Sequence, residues 1–94
     1  MSKKVKIGII GVGQIGKRHI ERYKNIQGAE IVAVCDINEE EAKNVCETFG
    51  IPKYYTDFRE LLKKEDIEAV DVCLHNNLHM PVTVEALNLG KHIL

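Results

Sequence analysis

The sequence predicts an α/β fold, a three-layer doubly wound parallel sheet with the strand order 3-2-1-4-5. Two observations lead to this prediction. Short, nearly unbroken apolar runs rich in β-branched residues alternate with segments whose apolar positions recur at helical spacing. Turn and capping residues stand at the changes of period. Such alternation is typical of βαβ units, whose right-handed crossovers place helices on both faces of a parallel sheet.

The first two strands are predicted where buried-type apolar runs occur. One covers residues 5–10 and is stopped by Gly11, and the other covers residues 31–35 and ends before Asp36. Between them a helix is expected over about residues 14–25. Its partly apolar stripe consists of Ile15, His19, Ile20 and Tyr23.

The second helix is marked at both ends by capping residues. Asn38 is a suitable N-cap with Glu41 three residues later, and Gly50 is placed as the terminator. A short, poorly buried strand at residues 54–56 is expected to follow.

The remaining elements repeat the alternation. A third helix starts near Phe58, and an apolar strand covers residues 69–74. A fourth helix carries Pro81 in its first turn and ends at Gly90. A fifth strand begins at residues 92–94.

Composition excludes several classes of protein. Lysine and arginine (13) nearly balance aspartate and glutamate (14), for a net charge of −1 over 94 residues, of which 45% are hydrophobic. One globular domain over residues 1–94 is expected, without the basic surface that nucleic acid or an acidic membrane would require. No apolar stretch reaches the roughly 18 residues of a membrane span. Three cysteines without C-x-x-C spacing favour reduced thiols, a cytoplasmic location and no structural metal.

A glycine-rich loop lies where ligands bind in such a sheet, beyond the strand ends at which the strand order reverses. Gly11, Gly13 and Gly16 form a G-x-G-x-x-G pattern between a strand and a helix. Gly11 permits the tight turn, Gly13 lets a pyrophosphate approach the backbone, and Gly16 allows close helix packing. Backbone N–H groups at the helix start, where Gln14 and Ile15 lie, then bind the anion. The pattern predicts a dinucleotide site.

Asp36 supplies the second part of that pattern. It lies 20 residues after Gly16, at the end of the second strand, where a carboxylate accepts hydrogen bonds from the ribose hydroxyls of the adenosine half. The same charge would repel a 2′-phosphate, and no arginine or lysine follows closely, so NAD is predicted in preference to NADP. The alternative is a solvated residue that merely ends the strand.

Three other patterns have simpler interpretations than binding. His75 and His79 lie near Cys73 in sequence, but no fourth metal ligand is evident. The basic run at residues 17–19 is expected on a solvated helix surface in preference to a nucleic-acid contact. Cys35 and Cys73 are interpreted as small core residues.

The chain resembles the Gfo/Idh/MocA oxidoreductases along its whole length. The resemblance rests on V-K-I-G-I-I-G-V-G-Q-I-G at residues 5–16, Y-T-D and E-L-L within residues 55–62, and I-E-A-V at residues 67–70. Most specific is N-N-L-H at residues 76–79, continuing to A-L-N-L-G-K-H-I-L at residues 86–94. The resemblance implies an N-terminal Rossmann domain that a C-terminal α+β domain completes.

The resemblance also implies roles for single residues. Asn76 and His79 would line the cofactor's path from the fourth strand toward the nicotinamide. The family commonly has Thr-Pro before that Asn, and here the pair is Leu74-His75. The resulting candidate cofactor-binding residues are Gly11, Gly13, Gln14, Ile15, Gly16, Asp36, Asn76 and His79.

By this resemblance, hydride passes between a nicotinamide cofactor and a sugar, polyol or related hydroxyl compound. The family's Glu-Lys-Pro motif, which contains a catalytic candidate, would come just after Leu94, so no catalytic residue is assigned. Residues 1–94 are therefore expected to be the cofactor-binding domain of a longer oxidoreductase. A non-catalytic dinucleotide-binding or sensing module stays open, as does a methyltransferase, although Gly16 departs from the G-x-G-x-G loop typical of the latter.

The fifth strand is expected to leave an open sheet edge, because the helix and later strands that would cover it are not in the chain. Such an edge invites pairing with another copy. Self-association as a homo-oligomer, or marginal stability, is the expected consequence.

Overall fold

The computed structural model describes residues 4–64, 66–74 and 79–94. Strands and helices alternate throughout these ranges. They are β1 (Val5–Ile10), α1 (Gln14–Lys24), β2 (Ala29–Cys35), α2 (Glu39–Phe49), β3 (Lys53–Tyr55), α3 (Phe58–Lys64), β4 (Ala69–Val72), α4 (His79–Asn88) and β5 (His92–Ile93). Within these ranges, no helix combines the length and apolarity that crossing a bilayer requires.

The strands form one five-stranded sheet in the order β3-β2-β1-β4-β5. Every neighbouring pair is parallel. The predicted fold class and strand order are therefore confirmed, and the order reverses between β1 and β4 as the glycine pattern requires.

Apolar side chains fill both faces of the sheet, which makes the fold three-layered. On one face, α1 and α2 pack on β1 and β2 through the cluster Ile7, Ile9, Val12, Ile20, Val34, Ala42, Val45 and Ile51. On the other face, α3 and α4 pack through the cluster Ile10, Ala33, Cys35, Leu61, Leu62, Ile67, Val70, Val72, Val82 and Ala86. Burial on both faces explains why the strand sequences are nearly continuous apolar runs.

Two strands end earlier than their sequences predict. β3 ends at Tyr55, one residue short of the predicted end, because its partner residue Cys35 is the last of β2. β4 ends at Val72 instead of residue 74, because Val72 pairs with Ile10 and β1 then turns at Gly11. The end of each strand is set by the end of the neighbouring strand. This pairing joins residues far apart in sequence, so the apolar run of a single strand does not predict it.

Smaller differences concern other ends of elements. β2 begins at Ala29, before the predicted start at residue 31, because Ala29 pairs with Val5 at the start of β1. α1 ends at Lys24, since Asn25 is its C-cap, and β5 ends at Ile93. The predicted caps of α2 are confirmed: Asn38 accepts from the N–H of Glu41, and Gly50 is left-handed with a φ of 69°.

Candidate dinucleotide-binding site

The loop between β1 and α1 turns at Gly11, where φ is +96°. A Cβ at this position would lie 2.7 Å from the carbonyl oxygen of Cys73, which follows β4. The N–H of Gly11 donates to the carbonyl of Cys35 at 2.8 Å, so the start of the loop is joined to the end of β2. Both the positive φ and the lack of space for a Cβ require glycine in this tight turn.

Gly16 brings the first turn of α1 against that loop. A Cβ on Gly16 would lie 2.1 Å from the carbonyl oxygen of Gly11, closer than any side chain can approach. The pattern predicts close helix packing at this glycine. In the structure the nearest atom belongs to the loop itself, so the helix start and the turn form one rigid unit.

Gly13 differs from the other two glycines because the space around it is open. A Cβ there would meet no heavy atom within 4 Å. Gly13 is the N-cap of α1, no side chain caps this helix, and its first turn carries no acidic residue. The first N–H groups of a helix have no intrahelical acceptor, so Gln14 and Ile15 present free donors at the positive end of α1. This arrangement suits a diphosphate.

Asp36 is fixed beside this loop by two backbone donors. The N–H of Val12 donates to its Oδ2 at 3.0 Å, and the N–H of Asn38 donates to its Oδ1 at 2.9 Å. The half-buried carboxylate has about four lone pairs, so acceptor positions stay available for ribose hydroxyls. The sequence spacing predicts an acid near the glycine loop, and the Val12 hydrogen bond connects the two directly.

A cleft of about 340 Å³ adjoins Asp36 at the carboxyl ends of the strands. Ile37, which is 85% exposed, forms one apolar edge, and Phe58 on α3 forms another. The guanidinium of Arg59 lies 4.7 Å from the centroid of the Phe58 ring. Flat apolar surfaces beside a fixed polar group are typical of a site for a purine base. Arg59 is distant from Asp36 in sequence, so a search for cations that closely follow Asp36 misses it.

Asn76 and His79, the two candidate residues for the nicotinamide, are not fully covered by the part of the chain that the structure describes. Asn76 lies outside the described residues. His79 begins α4, but its side chain is not among those described. Leu74, which replaces the family's usual Thr, is half-buried and lines the cleft beside Asp36. The roles of Asn76 and His79 toward the nicotinamide stay predictions.

Behind the glycine loop, a buried carboxylate joins α1 to β4. Asp71 is 4% exposed, and its Oδ2 accepts from the hydroxyl of Tyr23 at 2.6 Å. His19 Nδ1 lies 2.6 Å from the same oxygen, and the thiol of Cys73 donates to Oδ1 at 3.3 Å. We refer to Asp71, His19, Tyr23 and Cys73 as the Asp71 network.

The surroundings of Asp71 add detail to two expectations from the sequence. The basic run at residues 17–19 is not wholly a solvated surface, because His19 contacts Asp71 and Lys17 forms an ion pair with Glu41 on α2 at 2.5 Å. Cys35 is buried in the core as predicted, and Cys73 is half-buried and packs against the core cluster beneath α1 and α2, where its thiol is also hydrogen-bonded. The predicted stripe already groups His19 with Ile20 and Tyr23, and this side of α1 does meet the sheet, whereas Ile15, the fourth member of the stripe, is exposed.

The network also contains a set of possible metal ligands that the sequence does not reveal. One ligand atom from each of His19, Asp71 and Cys73 lies within 4.8 Å of the others. The sequence instead drew attention to His75 and His79, which stand close to Cys73 in the chain. His19 and Asp71 are far apart in sequence and meet because α1 covers the face of the sheet on which the Asp71 side chain lies.

Burial changes the acidity of two thiols. Burial, together with the smaller effect of the neighbouring carboxylate, Asp36 for Cys35 and Asp71 for Cys73, raises the pKa of each thiol from 9.0 to about 12. Burial and the hydrogen bond to Asp71 also raise the pKa of Tyr23. Both thiols are therefore protonated near neutral pH and are poor nucleophiles.

We expect the chain to lose stability as the pH rises from about 9 toward about 12. Unfolded thiols ionise near pH 9 while the folded ones keep their protons, so the free energy of unfolding falls by at most about 1.4 kcal/mol per pH unit for Cys35 and by less for the half-buried Cys73, which water screens in part. Urea unfolding at increasing pH measures this fall. Cys35→Ala should reduce the slope, and an equal slope in both proteins would contradict the assignment to Cys35.

Comparison with known sequences identifies the family. The sequence pattern of the Gfo/Idh/MocA oxidoreductases, a family described by its NAD-binding Rossmann fold, matches residues 5–94. The chain belongs to the Gfo/Idh/MocA family. The match confirms the resemblance seen in the sequence motifs, and it assigns the described fold to the NAD-binding Rossmann part of this family.

Curated relatives include several inositol dehydrogenases. Inositol 2-dehydrogenase of Salmonella typhimurium is 38% identical over 91 residues. These residues are 95% of the present chain and 27% of the relative. The inositol 2-dehydrogenase/D-chiro-inositol 3-dehydrogenase of Lacticaseibacillus casei is 41% identical over 91 residues, 95% of the chain and 26% of the relative. The chain thus spans about a quarter of the length of these relatives.

Solved structures give the same result. The myo-inositol dehydrogenase from Lactobacillus casei in complex with NAD(H) and myo-inositol matches with a TM-score of 0.90 and 40% identity, over 96% of the chain and 27% of that structure. The scyllo-inositol dehydrogenase from Lactobacillus casei with bound NAD(H) and scyllo-inositol matches with a TM-score of 0.91 and 32% identity, over 97% of the chain and 27% of that structure.

Proposed function

We propose that this Gfo/Idh/MocA chain binds NAD between the glycine loop and Asp36, as the cofactor-binding domain of a dehydrogenase. One observation carries the proposal: the N–H of Val12, inside the glycine loop, fixes the carboxylate of Asp36 beside the open space at Gly13. This hydrogen bond connects the N–H groups that would donate to the diphosphate with the carboxylate that would accept from the ribose hydroxyls. The relatives suggest a substrate with a hydroxyl group, such as a polyol or sugar.

Each part of the site fits one part of a dinucleotide. The N–H groups of Gln14 and Ile15 would donate to the diphosphate, and the oxygens of Asp36 would accept from the ribose hydroxyls. Ile37 and Phe58 would flank the adenine ring. When bound, the nicotinamide supplies the group that accepts or donates hydride, while these residues orient it and contribute no chemical step.

The proposal extends to cofactor preference. Asp36 would repel a 2′-phosphate, whereas Arg59 in the same cleft would attract it. We expect Asp36 to decide the outcome because its two backbone hydrogen bonds hold it in place, while Arg59 is exposed. NAD is therefore preferred. The three free cysteines suit a reducing, cytoplasmic location.

The nicotinamide half of the site is proposed to involve Asn76 and His79. Support comes from the position of α4, which begins at His79 and follows β4 at the point where the strand order reverses. No catalytic residue is assigned within the chain.

Calorimetric titration with NAD, NADP and S-adenosylmethionine tests this function directly. We expect NAD to bind at least about tenfold more tightly than NADP, a difference of about 1.4 kcal/mol, and S-adenosylmethionine not to bind. Equal or tighter binding of NADP would overturn the preference. Binding of S-adenosylmethionine without NAD, by a chain that circular dichroism shows to be folded, would favour a methyltransferase instead.

A non-catalytic sensing module would use the same site, so cofactor binding alone does not distinguish it from an enzyme. The curated relatives favour the enzyme, since those named above are dehydrogenases. Formation of NADH by the full-length protein, supplied with NAD and a series of polyols and sugars, separates the two functions.

Self-association through β5 forms a further part of the proposal. β5 is the edge strand next to β4, and Leu94 beside it is 56% exposed. Sedimentation should show a concentration-dependent dimer, and Leu94→Lys should shift it toward monomer because a charge at the edge opposes pairing. Ile26→Lys, at an equally exposed apolar site away from β5, serves as the control. A monomer at all concentrations would contradict this part.

A further inference from the structure

Asp71 is a charged residue buried where the cofactor cleft does not reach. It is 4% exposed, pairs with Ile9 in the parallel ladder, and is absent from the lining of the cleft beside Asp36. Burying a carboxylate without partners costs several kcal/mol. The surrounding donors must therefore compensate its charge, and they show what the residue does.

Two of these donors lie on α1. A carboxylate accepts hydrogen bonds only, so the hydroxyl of Tyr23 and the Nδ1 of His19 must each direct a hydrogen to Asp71 Oδ2, both over 2.6 Å. The third donor, the thiol of Cys73, uses Oδ1. Because two donors share one oxygen, a small shift of α1 along β4 would break both hydrogen bonds together.

The same face of α1 carries the contact with the glycine loop. Gly16 lies one turn before His19 and two turns before Tyr23, at spacings that place all three on one side of a helix. Gly16 rests on the carbonyl of Gly11. Besides the apolar packing of Ile20, the helix is thus attached to the loop at its start and hydrogen-bonded to Asp71 farther along.

We propose that His19, Tyr23 and Asp71 act as positioning residues that fix the direction in which α1 presents its free N–H groups to the diphosphate of the cofactor. This inference rests on the proposed function. Without the hydrogen bonds to Asp71, no polar contact from β4 would fix the orientation of α1 on the sheet, and small shifts of the helix would misalign the donors at Gln14 and Ile15 with the anion. Alignment matters because hydrogen bonds weaken steeply as their angles close.

Hydrogen bonding accounts for the network without a metal ion. His19, Asp71 and Cys73 have ligand types that zinc accepts. However, Asp71 Oδ2 is already shared by two donors at 2.6 Å, and one of these is the hydroxyl of Tyr23. A cation held by these three residues would have to replace the hydrogens that His19 and Cys73 direct at Asp71, so we assign a positioning role.

The test separates the diphosphate half of the site from the ribose half. Tyr23→Phe removes one donor and keeps the ring, and Asp71→Asn removes the charge and keeps the shape. Nuclear magnetic resonance titrations with ADP and with adenosine give two affinities, together with local shifts at the amides of Gly13 and Asp36. Both variants should bind ADP about tenfold more weakly, with a reduced shift at Gly13, and bind adenosine unchanged.

A stability control distinguishes positioning from general loosening. Val45→Ala weakens the core beneath α2 without touching the Asp71 network and should leave the ratio of the two affinities unchanged. If Asp71→Asn does not fold, Tyr23→Phe decides alone. An unchanged ratio in Tyr23→Phe would overturn the inference, and so would an equal change in Val45→Ala. Failure of the unaltered chain to bind ADP would overturn the proposed function and this inference with it.

Discussion

The Gly13→Ala variant is expected to fold normally and to bind NAD at least about tenfold more weakly. Gly13 has an ordinary negative φ of −68°, and an added Cβ would meet no atom of the protein within 4 Å. Loss of stability should be about 1 kcal/mol, since alanine is a poorer N-cap than glycine but creates no clash here. The methyl group would occupy the space that a diphosphate needs. Calorimetric titration and urea unfolding measure the two effects.

Two other glycines provide the contrast for this variant. Gly28 is also exposed and open, and lies at the opposite end of the sheet, so Gly28→Ala should leave both stability and NAD affinity unchanged. Gly16→Ala should prevent normal folding, because its Cβ would lie 2.1 Å from the carbonyl oxygen of Gly11. Undiminished NAD binding by Gly13→Ala would show that the anion does not approach this part of the loop.

The fold could be predicted because its determinants are short-range. A strand buried on two faces requires a continuous apolar run, and a helix start requires a cap such as Asn38, so each element is recognisable within a few residues. The strand order then follows from the handedness of βαβ connections. Gly11 and Asp36 are placed at neighbouring strand ends by the same rules, and the Val12 hydrogen bond to Asp36 is consistent with that placement.

The features that sequence did not predict depend on packing between distant segments. The ends of β3 and β4 are set by where β2 and β1 stop, as the pairs Cys35 with Tyr55 and Ile10 with Val72 show. The Asp71 network depends on which residues of the sheet lie opposite His19 and Tyr23 on α1. The helical stripe predicted from the sequence contains both residues but does not identify their partner. Asp71 itself looks like an interruption of an apolar strand until its partners on α1 are known.

Replacing Asp36 should alter the choice of cofactor more than any other single change. We expect Asp36→Ala to lower the ratio of NAD affinity to NADP affinity by about tenfold or more, because both the ribose acceptor and the charge that repels a 2′-phosphate are lost. Arg59, which lines the same cleft, would then attract the phosphate with one fewer carboxylate opposing it. Paired titrations of the variant and the unaltered chain with both dinucleotides measure the ratio.

The ratio is the informative quantity because Asp36→Ala also damages the loop. It leaves the buried Val12 without an acceptor for its N–H, at a cost of about 1 to 3 kcal/mol, and this weakens both dinucleotides alike. Asp57→Ala is the matched control, since it removes another carboxylate from the lining of the same cleft. If both variants shift the ratio equally, the preference comes from the general charge of the cleft. A shift confined to Asp36→Ala would assign it to the hydrogen-bonded carboxylate beside the glycine loop.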